Sequence, residues 1–396
     1  MNDPSTPRRA FLGAEVFDGD RRHNAHALLV EGDRVVGVIP EHTVPADAQT
    51  HTFDGGLICP SFVDLQVNGG GGVMFNDAPS EDTLTTMAEA HARLGATSIL
   101  PTLITDTVDK TRAAIDAVGA AISGGIPGII GLHLEGPHLA VARKGAHDPH
   151  LIRPMTDADL RMLLEAAARL PVLMITLAPE SVTPAQIEAL HAAGVTVSLG
   201  HSDAGLDTCA AAARAGATCV THLFNAMSPL GNREPGLVGA ALTLGGLSAG
   251  LIADGIHVHP QSIRAAYHAK TGPGRIFLVS DAMAVAGSDQ GSFTLNARRI
   301  TRLGGRLTLD DGTLAGADLD LVTAVRNMIN WGIVAPDTAL AMASAIPAGL
   351  VSARGGLGVL STGSTADFLH FPSLMDGHFE VWRAAQRLDR IAAAKR

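Results

Sequence analysis

Flat aromatic rings are scarce in this chain: one Tyr, two Trp and eleven Phe make up 4% of 396 residues. So few rings leave no stacking platform for nucleic-acid bases. Cysteine is scarcer still. Cys59, Cys209 and Cys219 show no C-x-x-C spacing, which excludes a thiolate zinc knot and a disulfide framework, so all three read as small buried hydrophobes. Lys and Arg form no run, and the net charge is -10 with pI ≈ 5.9, so neither nucleic acid nor an anionic membrane is expected as a partner. A small anionic substrate is still compatible, because one Arg can outweigh the global charge locally. No apolar run is long enough to span a bilayer. The stretch from Met1 to Arg9 lacks the apolar segment of a signal peptide, so the cytoplasm is expected.

What is abundant is aliphatic residues. Hydrophobic side chains make up 46% of the chain, ample for a buried parallel sheet. The length exceeds one ordinary core but suits an α/β barrel with a small satellite. Residues 27–30 and 34–39 flank Glu31-Gly32-Asp33, a hairpin signal. From Gly56 onward, apolar runs alternate with Ala/Leu/Glu-rich helical stretches. Eight candidate strands fall at 57–66, 96–104, 128–135, 172–177, 195–201, 219–223, 247–253 and 276–281. Helices are expected at 82–94, 108–122, 157–170, 184–193 and 206–215, with Thr156 capping the third. Repeated strand–helix units with continuous apolar strands predict a parallel sheet, and eight of them predict a closed barrel. A hairpin region at 291–313, helices at 319–331 and 336–351, a strand within 358–371 and a helical tail at 380–396 complete the expectation. The fold class is therefore α/β: a (β/α)8 TIM barrel over 59–358, with a small β-sandwich-like domain built from both chain ends, 1–58 and 359–396.

Four apolar runs end in a residue able to bind a metal or move a proton: Glu135, His201, His222 and Asp281. Parallel strands of a barrel present such endings on one rim, the face where chemistry is done. Each has a plainer reading. Glu135 could be a salt-bridged structural acid, either His a hydrogen-bonded core side chain, and Asp281 a helix cap. As a trio, Glu135, His201 and His222 suit a divalent ion. Asp281 then reads as a general base. His147 sits in a Gly-containing loop and could polarise a carbonyl, or be a surface His. Many metal-dependent amidohydrolases carry His-x-His on the first strand. Gln66 and Asn68 stand there, poor ligands beside imidazole, and mark at most a vestigial second metal position.

The stretches Pro60–Val73, His133-Leu-Glu-Gly-Pro-His138, Lys144-Gly-Ala-His147, Leu199-Gly-His-Ser202, Thr221–Met227, Asp254-Gly-Ile-His257 and Val279-Ser-Asp-Ala-Met283 resemble those of N-acetylglucosamine-6-phosphate deacetylases, within the amidohydrolase superfamily. The likeness runs in order from the start of the barrel to Gly363–Asp367. It implies hydrolysis of the acetamide of N-acetyl-D-glucosamine 6-phosphate. It implies one divalent metal per subunit on Glu135, His201 and His222; zinc is favoured, and iron, cobalt or manganese suit the same set. Asp281 would be the catalytic acid/base, and His147 and the Ala146 backbone would meet the acetamido group. Asn225, Ala226 and Arg233 would hold the sugar phosphate, His257 would be a further substrate contact, and Leu314, Ala315 and Gly316 would close against the sugar. It also implies a homodimer in which Arg233 and His257 come from the neighbouring subunit. His133, His138, His191 and His268 are left as structural. Alternatives are a deacetylase of N-acetylgalactosamine 6-phosphate, another N-acyl amidohydrolase, and a non-catalytic scaffold.

Overall fold

The computed structural model describes residues 7–296, 298–351 and 356–388. Eight parallel strands follow one another in chain order around a barrel: β1 (Phe62–Val67), β2 (Ala96–Ile104), β3 (Leu132–Glu135), β4 (Leu173–Leu177), β5 (Thr196–Leu199), β6 (Cys219–Val220), β7 (Ser248–Leu251) and β8 (Ile276–Leu278). All nine residues of β2 are buried, as expected of a strand covered on both faces. The seam between β8 and β1 closes just beyond the strands. Val67 bridges Ala282, Asp281 N–H donates to Gln66 O at 3.1 Å, and Asp64 Oδ1 accepts from Ser280 N–H at 3.2 Å.

Helices return the chain between strands at Glu81–Arg93, Val108–Ser123, Asp157–Arg169, Pro184–Ala192, Leu206–Arg214, Gly236–Thr243 and Pro260–Ala269. Thr156 caps the third, and its reciprocal bond with Asp159 makes a capping box. No helix among the described residues is long and apolar enough to cross a membrane.

Both chain ends build a pair of sheets beside the barrel. One joins Arg8–Leu12, His26–Glu31, Arg34–Pro40 and Gln49–Thr52. The other joins Glu15–Phe17, Arg22–His23, Leu57–Pro60, Phe368–Phe371, Glu380–Arg383 and Gln386–Arg387. Phe11, Leu28, Phe53, Phe368 and Trp382 fill the space between them.

Three expectations are corrected. The run 57–66 is two strands: Leu57–Pro60 pairs with Glu15–Phe17 and Phe368–Phe371, and only Phe62–Val67 enters the barrel. The tail begins as strand, because Glu380–Arg383 pairs with Phe368–His370 and Trp382 stacks on Phe368 with ring centroids 5.5 Å apart. That packing overrides the helix propensity of an Ala/Arg-rich tail, whose residues 389–396 lie outside the described residues. The helix 336–351 is broken at Ser344 into Pro336–Ala343 and Ala345–Leu350.

The region expected as a hairpin is a four-stranded antiparallel sheet of Ser292–Leu295, Arg298–Leu303, Arg306–Thr308 and Leu314–Ala317. Phe293, Leu295, Ile300 and Leu307 pack on Met74, Ile104 and Met283, which seats this sheet over the barrel mouth.

Candidate active site

The residues that end β3, β5, β6 and β8 converge at the barrel mouth. Glu135 Oε1 lies 3.2 Å from His201 Nε2 and 3.0 Å from His222 Nε2, and the two imidazole nitrogens are 3.1 Å apart. All three residues are buried. Donors sharing one zinc ion at bonds of about 2.0–2.1 Å stand roughly 3.3 Å apart, so the trio has the spacing of a ligand set. The donor chemistry fits as well: one carboxylate and two imidazoles suit a divalent ion of the zinc kind. His201 Nδ1 donates to Arg143 O at 2.8 Å, which fixes the ring and leaves the lone pair of Nε2 facing the other two donors.

Burial alone would raise the Glu135 carboxyl, but hydrogen bonds from His201 and His222 and their charges hold it well below the ordinary value. Burial would lower His222, yet its bond to Glu135 raises it overall.

The backbone is strained where these side chains turn inward. His201, His222 and Asp281 take φ of +47°, +26° and +50°. Such left-handed conformations cost on the order of 1–3 kcal/mol each and cluster at functional sites. Here they swing the side chain from the end of a buried strand across the mouth.

Asp281 is buried beside the trio. Gln66 Nε2 donates to its Oδ1 at 3.1 Å and Asn68 Nδ2 donates to the same oxygen at 2.7 Å. Gln66 Nε2 also reaches Glu135 Oε1 at 3.2 Å. Both amides thus act here as donors that orient carboxylates. Burial and the Glu135 charge push Asp281 up to about 6, against His222, His257 and the Asn68 bond, which favour the ionised form. A carboxyl poised there is well placed to accept a proton near neutrality.

His147 is buried with its ring 4.3 Å from that of His201. Its Nδ1 meets the Thr105 hydroxyl at 2.8 Å and the Thr105 N–H at 3.4 Å. In the tautomer where Nδ1 accepts both, Nε2 carries the proton and can donate it to a substrate oxygen. Burial, and then the His201 charge, hold His147 well below the ordinary value, so it is neutral. Ligand atoms of Glu135, His147 and His201 also lie within 4.8 Å of one another. The tighter spacing of Glu135, His201 and His222 marks that set as the better match to one ion.

A cavity of about 380 Å³ opens over these groups. Ala146, Asn225, Ala226 and His257 line it, and Leu314, Ala315 and Gly316 close one side. Gly316 has φ +67°, and a Cβ there would come within 2.4 Å of Met283 Cγ, so only glycine lets this strand pass. A larger groove of about 730 Å³ lies beside the satellite sheets. Its Arg22 is already paired with Glu15 and Asp337, so its charges satisfy one another.

Two expected substrate contacts part company. His257 lines the cavity of its own chain, with Nδ1 held by Asp254 Oδ2 at 2.6 Å. The Asp254–His257 turn follows β7 at the same rim, so His257 faces a cavity of its own chain, whereas the sequence expectation has it supplied by a neighbouring subunit. Arg233 is exposed and lies outside the cavity lining.

A match to the Amidohydrolase family covers residues 57–383. The chain is 45% identical to an N-acetylgalactosamine-6-phosphate deacetylase of Shewanella sp. (strain ANA-3), over 82% of this chain and 81% of that protein. It is 33% identical to an N-acetylglucosamine-6-phosphate deacetylase of Haemophilus influenzae, over 87% of this chain and 90% of that one. The crystal structure of N-acetylglucosamine-6-phosphate deacetylase from Pasteurella multocida superposes with a TM-score of 0.91 at 32% identity, covering 96% and 99% of the two chains.

Proposed function

The chain belongs to the Amidohydrolase family, and from that premise we propose that it hydrolyses the acetamide of N-acetyl-D-glucosamine 6-phosphate to D-glucosamine 6-phosphate and acetate. One observation carries the reading: Glu135 Oε1, His201 Nε2 and His222 Nε2 stand 3.0–3.2 Å apart beside a buried carboxyl raised to about 6.

Glu135, His201 and His222 would hold one divalent ion per chain, zinc first and iron, cobalt or manganese also suited. Bound there, the ion supplies Lewis acidity to the amide carbonyl and to water. Asp281 takes a proton from water as its oxygen bonds to the carbonyl carbon. His147 donates through Nε2 to the oxygen that gains charge. Asp281 then returns the proton to the amine nitrogen as the C–N bond breaks, and acetate is left behind. Gln66 and Asn68 keep Asp281 aimed through these two transfers.

Asn225, the Ala226 backbone and His257 would hold the sugar phosphate from one chain. Exposed Arg233 would add its planar fork from the other chain of a homodimer. Arg233→Ala is then expected to raise KM for phosphorylated substrate only. The cytoplasm suits a reaction on a phosphorylated sugar.

A second reading, deacetylation of N-acetylgalactosamine 6-phosphate, is favoured by the 45% identity to the Shewanella protein of that name. Acetate release from both phosphorylated epimers and from their unphosphorylated forms tests both readings. Faster turnover of the gluco epimer supports the first, and faster turnover of the galacto epimer selects the second. Release from neither phosphorylated sugar overturns both.

A further inference from the structure

Directly beneath the mouth, the barrel interior holds a chain of polar side chains that make no contact with the cavity. His133 Nδ1 meets Leu65 O at 3.0 Å, and its Nε2 meets Thr176 Oγ1 at 2.8 Å. Thr176 Oγ1 lies 2.6 Å from Thr221 Oγ1, which in turn lies 2.6 Å from Ser198 Oγ. None of the four is more than 2% exposed. Polar groups so deep in an aliphatic barrel are costly unless every one is paired, and an apolar filling would serve stability as well.

The pairing has a single direction. Leu65 O can only accept, so His133 Nδ1 carries the proton and the neutral ring's Nε2 accepts from Thr176. Thr176 then accepts from Thr221, and Thr221 from Ser198. Four strands and the segment just past a fifth are tied: β1 through Leu65, β3 through His133, β4 through Thr176, β5 through Ser198, and the end of β6 through Thr221, the residue that follows it.

The position of this chain relative to the mouth is what gives it meaning. His133 lies two residues before Glu135, on the same inward face of β3. Thr221 immediately precedes His222, and Ser198 is three residues before His201. Gly200 lies between Ser198 and His201. A Cβ at Gly200 would stand 2.8 Å from Thr176 Cγ2 and 3.0 Å from Thr221 Cβ, so the hydroxyls close up against a strand that has no side chain there. Tied in one direction, the strand ends that carry the three donor atoms cannot rotate independently.

We propose that His133, Thr176, Thr221 and Ser198 form a positioning layer that holds Glu135, His201 and His222 at the separations one divalent ion requires. It rests on the ligand assignment made above and adds residues with no role in that assignment. None of the four bonds a ligand side chain, so the layer acts through the strand ends; partners bonded directly to metal ligands commonly set affinity by about 10–100-fold, which gives the scale of the effect.

The test is a zinc titration of the metal-stripped chain against a chromophoric chelator, with the melting temperature of each metal-free variant as the fold control. Thr221→Val keeps the shape and removes the hydroxyl. It is expected to weaken zinc binding by about 10–100-fold and to lower kcat with KM little changed. Thr221→Ser restores the hydroxyl, and with it zinc affinity and kcat. Ser198→Ala, the mildest change, decides the matter if Thr221→Val does not fold, and is expected to weaken zinc binding in the same direction. The proposal is overturned if Thr221→Val and Ser198→Ala bind zinc as tightly as the parent, or if Thr221→Ser binds as weakly as Thr221→Val. A parent chain that binds no zinc sinks the ligand assignment first and this layer with it, an outcome distinguished because the parent itself then fails.

Discussion

Histidines of the satellite sheets and histidines of the barrel mouth share a ring and little else. In the satellite sheets, His370 stacks on Phe53 with centroids 3.7 Å apart, and its Nε2 bonds a backbone carbonyl, that of Gly55, at 2.9 Å. His51 faces Phe53 and Trp382 at 4.7 and 4.9 Å. Neither residue takes a positive φ. At the barrel mouth, His201 and His222 meet a shared carboxylate oxygen and both sit on strained backbone. The ring is the same in both places. What makes it chemical is a carboxylate at hydrogen-bond distance and a backbone bent to deliver both, whereas an aromatic neighbour makes it packing.

The sharpest way to break this contrast is to remove the carboxylate. Glu135→Gln leaves the rings in place but takes away the anionic donor, and metal content and acetate release are both expected to collapse. Next in size is Asp281→Asn. It is expected to keep fold and metal while turnover falls by roughly 10²–10⁴-fold, the usual worth of a general base. Full activity in that variant would remove Asp281 from the reaction.

A smaller effect is expected from Asn68→Leu. The Asn68 bond favours the ionised form of Asp281, so its loss raises the pKa of that carboxyl. The base must be ionised to work, so the acidic limb of the kcat profile moves to higher pH. An unmoved limb would show that the amide does not tune the base. The smallest effect is predicted on the other side of the comparison. His370→Phe removes the buried, unpartnered Nδ1 and loses one bond to Gly55 O, so stability changes by about 1 kcal/mol. Turnover and metal content stay as they were.

Much of the mouth was legible in the chain, because a parallel barrel puts strand endings on one rim and Glu135, His201, His222 and Asp281 end apolar runs. What was not legible depends on partners far apart in sequence. Gln66 and Asn68 read as a spent metal position, yet they work as donors to a carboxylate more than two hundred residues away. Thr105 carried no motif, although its hydroxyl and N–H set the tautomer of His147. His133 read as structural, since nothing local places Thr176 and Thr221 beside it. In the satellite, Leu57–Pro60 ran straight into Phe62–Val67 as one apolar run. Only pairing with Phe368–Phe371 assigns the first half to another sheet. The tail from Glu380 reads as helix by composition and becomes strand because Trp382 completes a distant aromatic cluster.

Elemental analysis of the purified chain beside its His222→Ala variant bears most directly on the convergence at the mouth. The parent is expected to carry one divalent ion per chain and the variant close to none, with both folded. Equal metal content in the two would contradict the claim that Glu135, His201 and His222 share a single ion.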